Sequence, residues 1–477
     1  MDLTNGSSVK VRSVVSSFDS ESFAAAGQSH LLQRLDQLSG EQAAHFQSEL
    51  ERLDLPFLQR LWQEDGQRKA ETVPEPPALV ELVDQAARTQ AFSKGQALLA
   101  EGKVACLTVA GGQGSRLGWD GPKGTFPSGL ITGDSLFAQF AGQIDRETKR
   151  YGKAVPWCIM TSPLNHESTV SFFEQHHHFG LDPSTVHFFT QGVMPSVDCE
   201  TGEVLLASPD AIAFNPDGHG GTLRALATSG LLTTLRGRGI EHLSYFQVDN
   251  PLVRALDPVF LGLHIDGSVS SAEVTSKAVA KRSPEEKVGV FGVQNGELTV
   301  LEYSDLDPEV CEATDDDGKL RFRAGNMAVH AFGLDFLDRL TNGTGLPFHR
   351  AIKKVPFFDE STGKMQQPAS PNAVKYETFI FDALPLASRP LVVESDRAEE
   401  FAPIKNAEGS DSVQTSQLAQ SLRAANWLTQ SGVQIAQDAL GQPVAQIEIR
   451  SSTATCPEDL ALCELPEKLG PEERFLV

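Results

Sequence analysis

Leu107-Thr-Val-Ala-Gly-Gly-Gln-Gly-Ser-Arg-Leu-Gly118, followed shortly by Pro122-Lys123-Gly124, is the stretch that decides the fold. An apolar run, 103–110, leads into a cluster of glycines. Missing side chains let backbone N–H groups approach phosphate oxygens closely. Arg116 and Lys123 add positive charge at the same place. Two familiar phosphate loops fail here. The dinucleotide fingerprint G-x-G-x-x-G needs glycine where Leu117 stands, and the Walker A loop needs Gly-Lys-Ser/Thr, whereas Lys123 lies between Pro122 and Gly124. The local pattern leaves a phosphate loop of another kind, with a plain turn as the alternative.

Outward from the loop, the runs 155–162, 184–190 and 242–249 read as further strands, alternating with helical stretches. Short, nearly continuous apolar runs suit strands covered on both faces, hence a largely parallel sheet. Asn295-Gly296, inside 288–303, supplies the two positive-φ residues of a hairpin turn. Upstream, Leu31, Leu32, Leu35 and Leu38 recur at helical spacing, and His45, Phe46, Leu50, Leu53 and Leu55 continue the pattern. Pro74, Pro76 and Pro77 precede another helical stretch from Leu79 to Leu99, while residues 1–20 read as a loose tail. Downstream, Ser416 to Leu428 reads as helix and Val444 to Ile449 as strand. The expected organisation is an N-terminal tail and helical region over 1–100, an α/β core over 101–410 and a small C-terminal domain over 411–477.

Composition narrows the function. The 477 residues are 40% hydrophobic and 22% charged, and 40 basic against 63 acidic residues leave a net charge of −23. Generic binding to nucleic acid or an anionic membrane needs a basic footprint and is not expected. An anionic ligand requires a few Lys and Arg converging in one pocket. The cysteines Cys106, Cys158, Cys199, Cys311, Cys456 and Cys463 form no C-x-x-C pair and read as reduced thiols. No run of about 18 apolar residues suits a bilayer span, and the polar, Ser-rich start lacks a signal peptide's apolar stretch. A soluble cytoplasmic protein is the expectation. His176-His177-His178 invites a metal reading, but adjacent helical residues point in different directions. The dipole at a helix C-terminus accounts for them more simply.

The glycine loop with its P-K-G resembles the nucleotide loop of sugar-nucleotide pyrophosphorylases. The likeness continues in order through Met160-Thr-Ser162, Phe172-Phe-Glu174, Phe179-Gly-Leu181, Gln191-Gly192 and Pro216-Asp-Gly-His-Gly-Gly221. It resumes at Val248-Asp-Asn250, Asp257-Pro258, Glu302-Tyr303, Gly325-Asn326, Lys375 and Ile404-Lys-Asn-Ala407. This series over about 300 residues resembles the eukaryotic-type UTP-dependent sugar-1-phosphate uridylyltransferases, and within them the UDP-N-acetylhexosamine pyrophosphorylase branch. The resemblance implies a Rossmann-like nucleotidyltransferase core of the GT-A type with a mixed sheet. It implies a reaction between UTP and a sugar 1-phosphate, giving UDP-sugar and pyrophosphate with Mg²⁺ as cofactor. A sugar-phosphate oxygen attacks the α-phosphorus in line, so catalysis rests on positioning and charge neutralisation, with no protein nucleophile.

By the same resemblance, Ala110, Gly111 and Gly112 hold the nucleotide, Gln191 and Gly218 contact the uridine, and Lys375 binds phosphate. Arg116, Lys123 and Lys405 act on the reacting phosphates. Asp249, at the end of an apolar strand, holds Mg²⁺ or the nucleotide, since a hard cation bridging phosphates takes oxygen ligands. His219, Glu302, Tyr303 and Asn326 fall at sugar-binding positions. One departure bears on the sugar: the branch carries Asn where this chain has His219, a residue the resemblance connects with UDP-glucose and broader UDP-sugar pyrophosphorylases. The expected sugar is N-acetylglucosamine 1-phosphate, with glucose 1-phosphate as the rival. The non-enzymatic alternative is a nucleotide-sugar-binding protein without turnover, against which Arg116, Lys123, Asp249 and Lys405 argue.

Overall fold

The computed structural model describes residues 18–63, 73–81, 84–303, 306–343, 345–471 and 473–477. They fall into two compact units that interleave along the chain. One comprises the described residues up to 63 with Val193–Gly218 and Pro347–Phe379. The other comprises those from 73 to Gly192 with His219–Leu346 and Ile380–Val477.

The larger unit is built on a nine-stranded mixed sheet. Its strands in chain order are β1 (Val104–Val109), β2 (Trp157–Thr161), β3 (Val186–Thr190), β4 (His242–Gln247) and β5 (Val274–Ala280). They continue with β6 (Val290–Gln294), β7 (Glu297–Leu301), β8 (Ala324–Gly333) and β9 (Leu391–Ser395). The spatial order is β7-β6-β8-β4-β1-β2-β3, with β5 also on β8 and β9 on β5. The run β4-β1-β2-β3 is parallel, and β8 lies antiparallel to β4 with His330 opposite Tyr245. All four runs expected as strands from their apolar continuity are strands. β1 and β2 are buried almost throughout because helices cover both faces. Asn295 and Gly296 have φ of 55° and 82° and join β6 to β7 with Gln294 opposite Glu297, the expected two-residue hairpin.

The helices of this unit that the site and its core use are α1 (Gln85–Ala100), α2 (Leu136–Tyr151), α3 (His166–Gln175), α4 (Gly221–Thr228), α5 (Pro258–His264), α6 (Leu334–Asn342), α7 (Arg397–Glu400) and α8 (Val413–Gln430). Phe137, Phe140 and Ile144 of α2 are fully buried in the core that also holds Cys106, Trp157 and Phe246. A Ser412–Thr415 capping box starts α8, whose Trp427 and Leu428 pack with Ile447 and Leu460 near the C-terminus.

In the smaller unit the leucine-rich helices Ser29–Gln37 and Gly40–Leu50 bury Leu31, Leu35, Phe46 and Leu50. Their partners are Val197, Val374 and Tyr376, which come from far along the chain. Strand Ala373–Glu377 is the middle of a three-stranded sheet between His349–Lys353 and Val197–Asp198. Among the described residues no helix is long and apolar enough to cross a membrane.

Candidate functional site

β1 ends at Val109, and Ala110 is still buried, with its N–H donating to the Met160 carbonyl of β2 at 2.8 Å. The glycine loop then leaves the sheet. Its shape is fixed by backbone bonds from Lys123 N–H to the Gly112 carbonyl at 3.0 Å and from Gly114 N–H to the Gly121 carbonyl at 2.9 Å. Arg116 stands exposed on a single 3₁₀ turn, Ser115–Leu117. Gly124 of the P-K-G lies so close to Phe137 that a Cβ there would fall 2.2 Å from the ring. The glycine lets the loop seat on α2.

Lys123 turns back toward the sheet, where its Nζ donates to Asp249 Oδ2 at 3.3 Å. The two side chains are only 16% and 15% exposed. Asp249 lies just past β4, and Val248 N–H still pairs with the Val109 carbonyl at 3.1 Å. The ion pair therefore spans the carboxyl ends of two adjacent parallel strands, where open α/β sheets bind ligands. The Ile404 N–H donates to the Asp249 carbonyl at 2.8 Å, which brings Lys405 to the same end of the sheet. Lys405 is 40% exposed and lies 3.7 Å from the Asp411 carboxylate. On the other side, Gln191 follows β3, and its amide oxygen comes within 3.0 Å of where a Cβ on Gly111 would stand.

A residue that sequence reasoning missed holds this loop. Asn165, fully buried, donates from Nδ2 to the carbonyls of Ala110 at 2.9 Å and Gly112 at 3.3 Å. Its Oδ1 accepts from the Ser162 N–H and hydroxyl. Asn at the start of a helical stretch signals an N-cap. Here the side chain makes no cap bond to α3 and serves the glycine loop instead.

Glu302 and Asn326 come together around Gly289. The Asn326 N–H donates to the Gly289 carbonyl at 2.8 Å, and a Cβ on Gly289 would stand 3.2 Å from Glu302 Oε1. The pairing of β8 with β5 slips between Ser276 and Ala278, opposite an insertion in which Ala328 has φ 55°. The side-chain oxygen Oδ1 of Asn326 stabilises it by accepting from the Ala328 N–H at 2.9 Å. Such bulges re-aim side chains. The antiparallel register of β8 and β4 sets Asn326 at the end of the sheet that carries Asp249. Tyr303, 44% exposed, follows Glu302 after β7.

His219 accepts from the Ile380 N–H at Nδ1, 3.2 Å away, and its own carbonyl accepts from the Thr222 hydroxyl at 2.6 Å. Burial pushes its pKa down to about 4. The ring is therefore neutral at pH 7, and with Nδ1 accepting, the proton sits on Nε2. His330 of β8 is driven down to about 3, first by burial and then by the nearby His219. Gly218 and Lys375 belong to the smaller unit. Gly218 has φ 83°, and a Cβ there would meet the Thr378 carbonyl at 2.3 Å. Lys375 donates from Nζ to Asn215 Oδ1 at 2.5 Å, and burial lowers its pKa.

The histidine triplet follows α3, as the sequence suggested. His176 Nδ1 donates to the Phe172 carbonyl at 2.8 Å, and His177 and His178 take φ of 50° and 51°. Among the described residues no three His, Cys, Asp or Glu side chains are grouped to hold a metal ion. All six cysteines are free thiols.

A glycine loop leaving an interior parallel strand, with a lysine and a carboxylate paired across the next strand end, defines a nucleotidyltransferase-type α/β core. The chain belongs to the UTP–glucose-1-phosphate uridylyltransferase family, whose family model matches residues 58–432. It is 34% identical over 465 residues to the UDP-N-acetylglucosamine pyrophosphorylase of Saccharomyces cerevisiae, covering 92% of this chain and 95% of that protein. It is 37% identical over 408 residues to the UDP-N-acetylglucosamine diphosphorylase 2 of Arabidopsis thaliana, covering 81% and 79%. The crystal structure of the uridine diphosphate N-acetylglucosamine pyrophosphorylase from Trypanosoma brucei superposes with a TM-score of 0.78 at 26% identity, over 96% of this chain and 97% of that one.

Proposed function

We propose that this protein joins UTP and N-acetylglucosamine 1-phosphate to give UDP-N-acetylglucosamine and pyrophosphate. The observation that carries the reading is the Lys123–Asp249 pair at the mouth of the glycine loop, 3.3 Å apart. It supplies a fixed cation and a fixed carboxylate where the triphosphate of a loop-bound nucleotide would lie. The relatives named for N-acetylglucosamine chemistry support the choice of sugar.

In this reading a sugar-phosphate oxygen attacks the α-phosphorus of UTP, the bond to the bridging oxygen breaks, and pyrophosphate leaves opposite. The backbone of Ala110, Gly111 and Gly112 orients the nucleotide, and Lys123, Arg116 and Lys405 stabilise charge on the transferring and leaving groups. Gln191 would contact the uracil through its side-chain amide. Glu302, Tyr303, Asn326 and His219 would surround the sugar. Asp249 suits Mg²⁺, which is commonly held through one or two carboxylates together with substrate phosphates. When bound, the ion neutralises phosphate charge. The free thiols suit a reducing compartment such as the cytoplasm.

The test is pyrophosphate release across a panel of sugar 1-phosphates with UTP or ATP. The expected result is the highest catalytic efficiency with N-acetylglucosamine 1-phosphate and a strong preference for UTP. Higher efficiency with glucose 1-phosphate overturns the sugar, and equal turnover with ATP overturns the uridine contacts.

A further inference from the structure

Behind the candidate site lies a buried charge cluster that the reaction as described does not use. Lys277, on β5 and 1% exposed, donates from Nζ to Asp257 Oδ2 at 2.7 Å and to Glu400 Oε2 at 2.5 Å. Arg254 lies 3.9 Å from Asp257, so two cations face two carboxylates. Burial alone would raise the Asp257 pKa, but Lys277 and Arg254 hold it well below the usual carboxylate range. The Lys277 ammonium also sits 5.0 Å from the centre of the Phe260 ring. A paired buried charge of this kind is weak evidence for stability, since an apolar replacement often does as well. Its geometry accounts for it better.

Glu400 closes α7, and the chain runs on from it through Ala402 and Ile404 to Lys405. The Glu400 carbonyl accepts from Asn250 Nδ2 at 2.7 Å, and Asn250 Oδ1 accepts in turn from the Ala402 N–H at 3.1 Å. Two residues on, the Ile404 N–H donates to the Asp249 carbonyl at 2.8 Å. The segment 400–405 is thus laced to 249–250, and the carboxylate that begins it is clamped by Lys277. Asp257, the other partner of Lys277, caps α5 by accepting from the Val259 N–H at 3.0 Å. The lysine therefore ties the segment to a helix and a strand of the core at once.

We infer that Lys277 and Glu400 are positioning residues: their buried pair fixes the 400–405 segment against Asp249–Asn250 and so sets where Lys405 stands at the mouth of the sheet. They touch no substrate and act through Lys405. The inference rests on the proposed uridylyl transfer for its catalytic part, whereas the anchoring itself is independent of any activity.

Glu400→Gln keeps the size of the side chain and leaves Lys277 paired with Asp257, so it is the variant of choice. Amide hydrogen exchange on the full chain reads the anchor directly. Exchange over 402–406 should speed at least tenfold while the strands β1, β2 and β4 stay unchanged. Pyrophosphate release reads the consequence. The kcat should fall about ten- to a hundredfold, the range that a misplacement near 1 Å produces, while KM for UTP changes less than threefold. In a Lys405→Ala background the same substitution should lower kcat less than twofold, because residues acting as a unit are not additive. Glu400→Asp, which keeps the charge but draws the carboxylate back from Lys277 by one methylene, gives the same readouts if Glu400→Gln does not fold. Unchanged exchange over 402–406, or full additivity with Lys405→Ala, overturns the inference. Wild-type protein without turnover would instead overturn the proposed function, and the exchange arm would still decide the anchor.

Discussion

Replacing Lys123 by methionine removes the ammonium at the glycine loop while keeping an unbranched side chain. At 3.3 Å from Asp249 Oδ2, the gross attraction is about 5 kcal/mol for an effective dielectric constant of 20. Desolvation offsets most of that while both charges are present, but removing the ammonium leaves the Asp249 carboxylate, 15% exposed, without its partner. Such a loss costs about 3–5 kcal/mol where burial is complete and less where water reaches the group, so a lowered melting temperature is expected. The catalytic loss is read separately, on protein that remains folded. Lys123 is held in place before substrate arrives, by the Asp249 carboxylate and by its own N–H on the Gly112 carbonyl, 3.0 Å away. Such a donor needs no reorganisation as charge develops on the transferring phosphate, and losing one typically costs about 10²–10³ in turnover. Steady-state pyrophosphate release at saturating UTP and sugar 1-phosphate measures kcat, and a thermal melt checks the fold. A kcat within threefold of wild type would refute the assignment. A collapse of the melt would show that the ion pair serves the fold.

Asp249→Asn should raise the Mg²⁺ concentration needed for half-maximal rate and lower the rate itself. An unchanged Mg²⁺ titration would leave Asp249 with a structural or nucleotide-only role. Burial holds the pKa of His219 near 4 and of His330 near 3, against 6.5 for an unperturbed histidine. The unfolded chain therefore binds more protons than the folded one below about pH 6.5. Their contribution is complete above that pH and is lost as pH falls toward 4 and then 3. Chemical denaturation between pH 7 and 4 should show declining stability, less steeply in His219→Asn; equal slopes would exclude His219 from the titration. The same substitution should raise the preference for N-acetylglucosamine 1-phosphate over glucose 1-phosphate, and an unchanged ratio of efficiencies would remove His219 from sugar choice.

The parallel core was legible because strands covered on both faces are nearly continuous in apolar residues, as in 104–109 and 157–161. The hairpin was legible because Asn-Gly is the cheapest way to place two successive positive φ angles. Other features leave no such trace. Leu31 and Phe46 announce an amphipathic helix, but nothing in their spacing says that Val197 and Tyr376 complete their core. Burial partners distant in sequence carry no periodic signal. Asn165 reads as a helix cap, and only the folded backbone reveals that its amide is spent on Ala110 and Gly112. The bulge at Ala328 is equally silent: Asn-Met-Ala gives no sign that the alanine takes φ 55°, and only the folded strand shows its N–H donating to Asn326 Oδ1 there.

The two halves of the larger unit's site are built differently. Around Ala110, Lys123 and Asp249 the backbone is tied to the sheet ladder, through Ala110 to Met160, Val248 to Val109 and Ile404 to Asp249. A group displaced there would have to break backbone hydrogen bonds in the core, which suits chemistry that depends on fixed charge. Glu302 and Asn326 stand where regularity ends, one just past a hairpin and the other beside a bulge. Backbone of that kind tolerates change without disturbing the ladder. Substitutions at Glu302 or Asn326 should therefore shift efficiency among sugar 1-phosphates while leaving the preference for UTP over ATP intact. Substitutions at Lys123 should slow every sugar alike. On the proposed site, the same division would let one uridylyl-transfer core serve different sugars, with the proposed transferring end constrained by the sheet and the proposed sugar end free to vary.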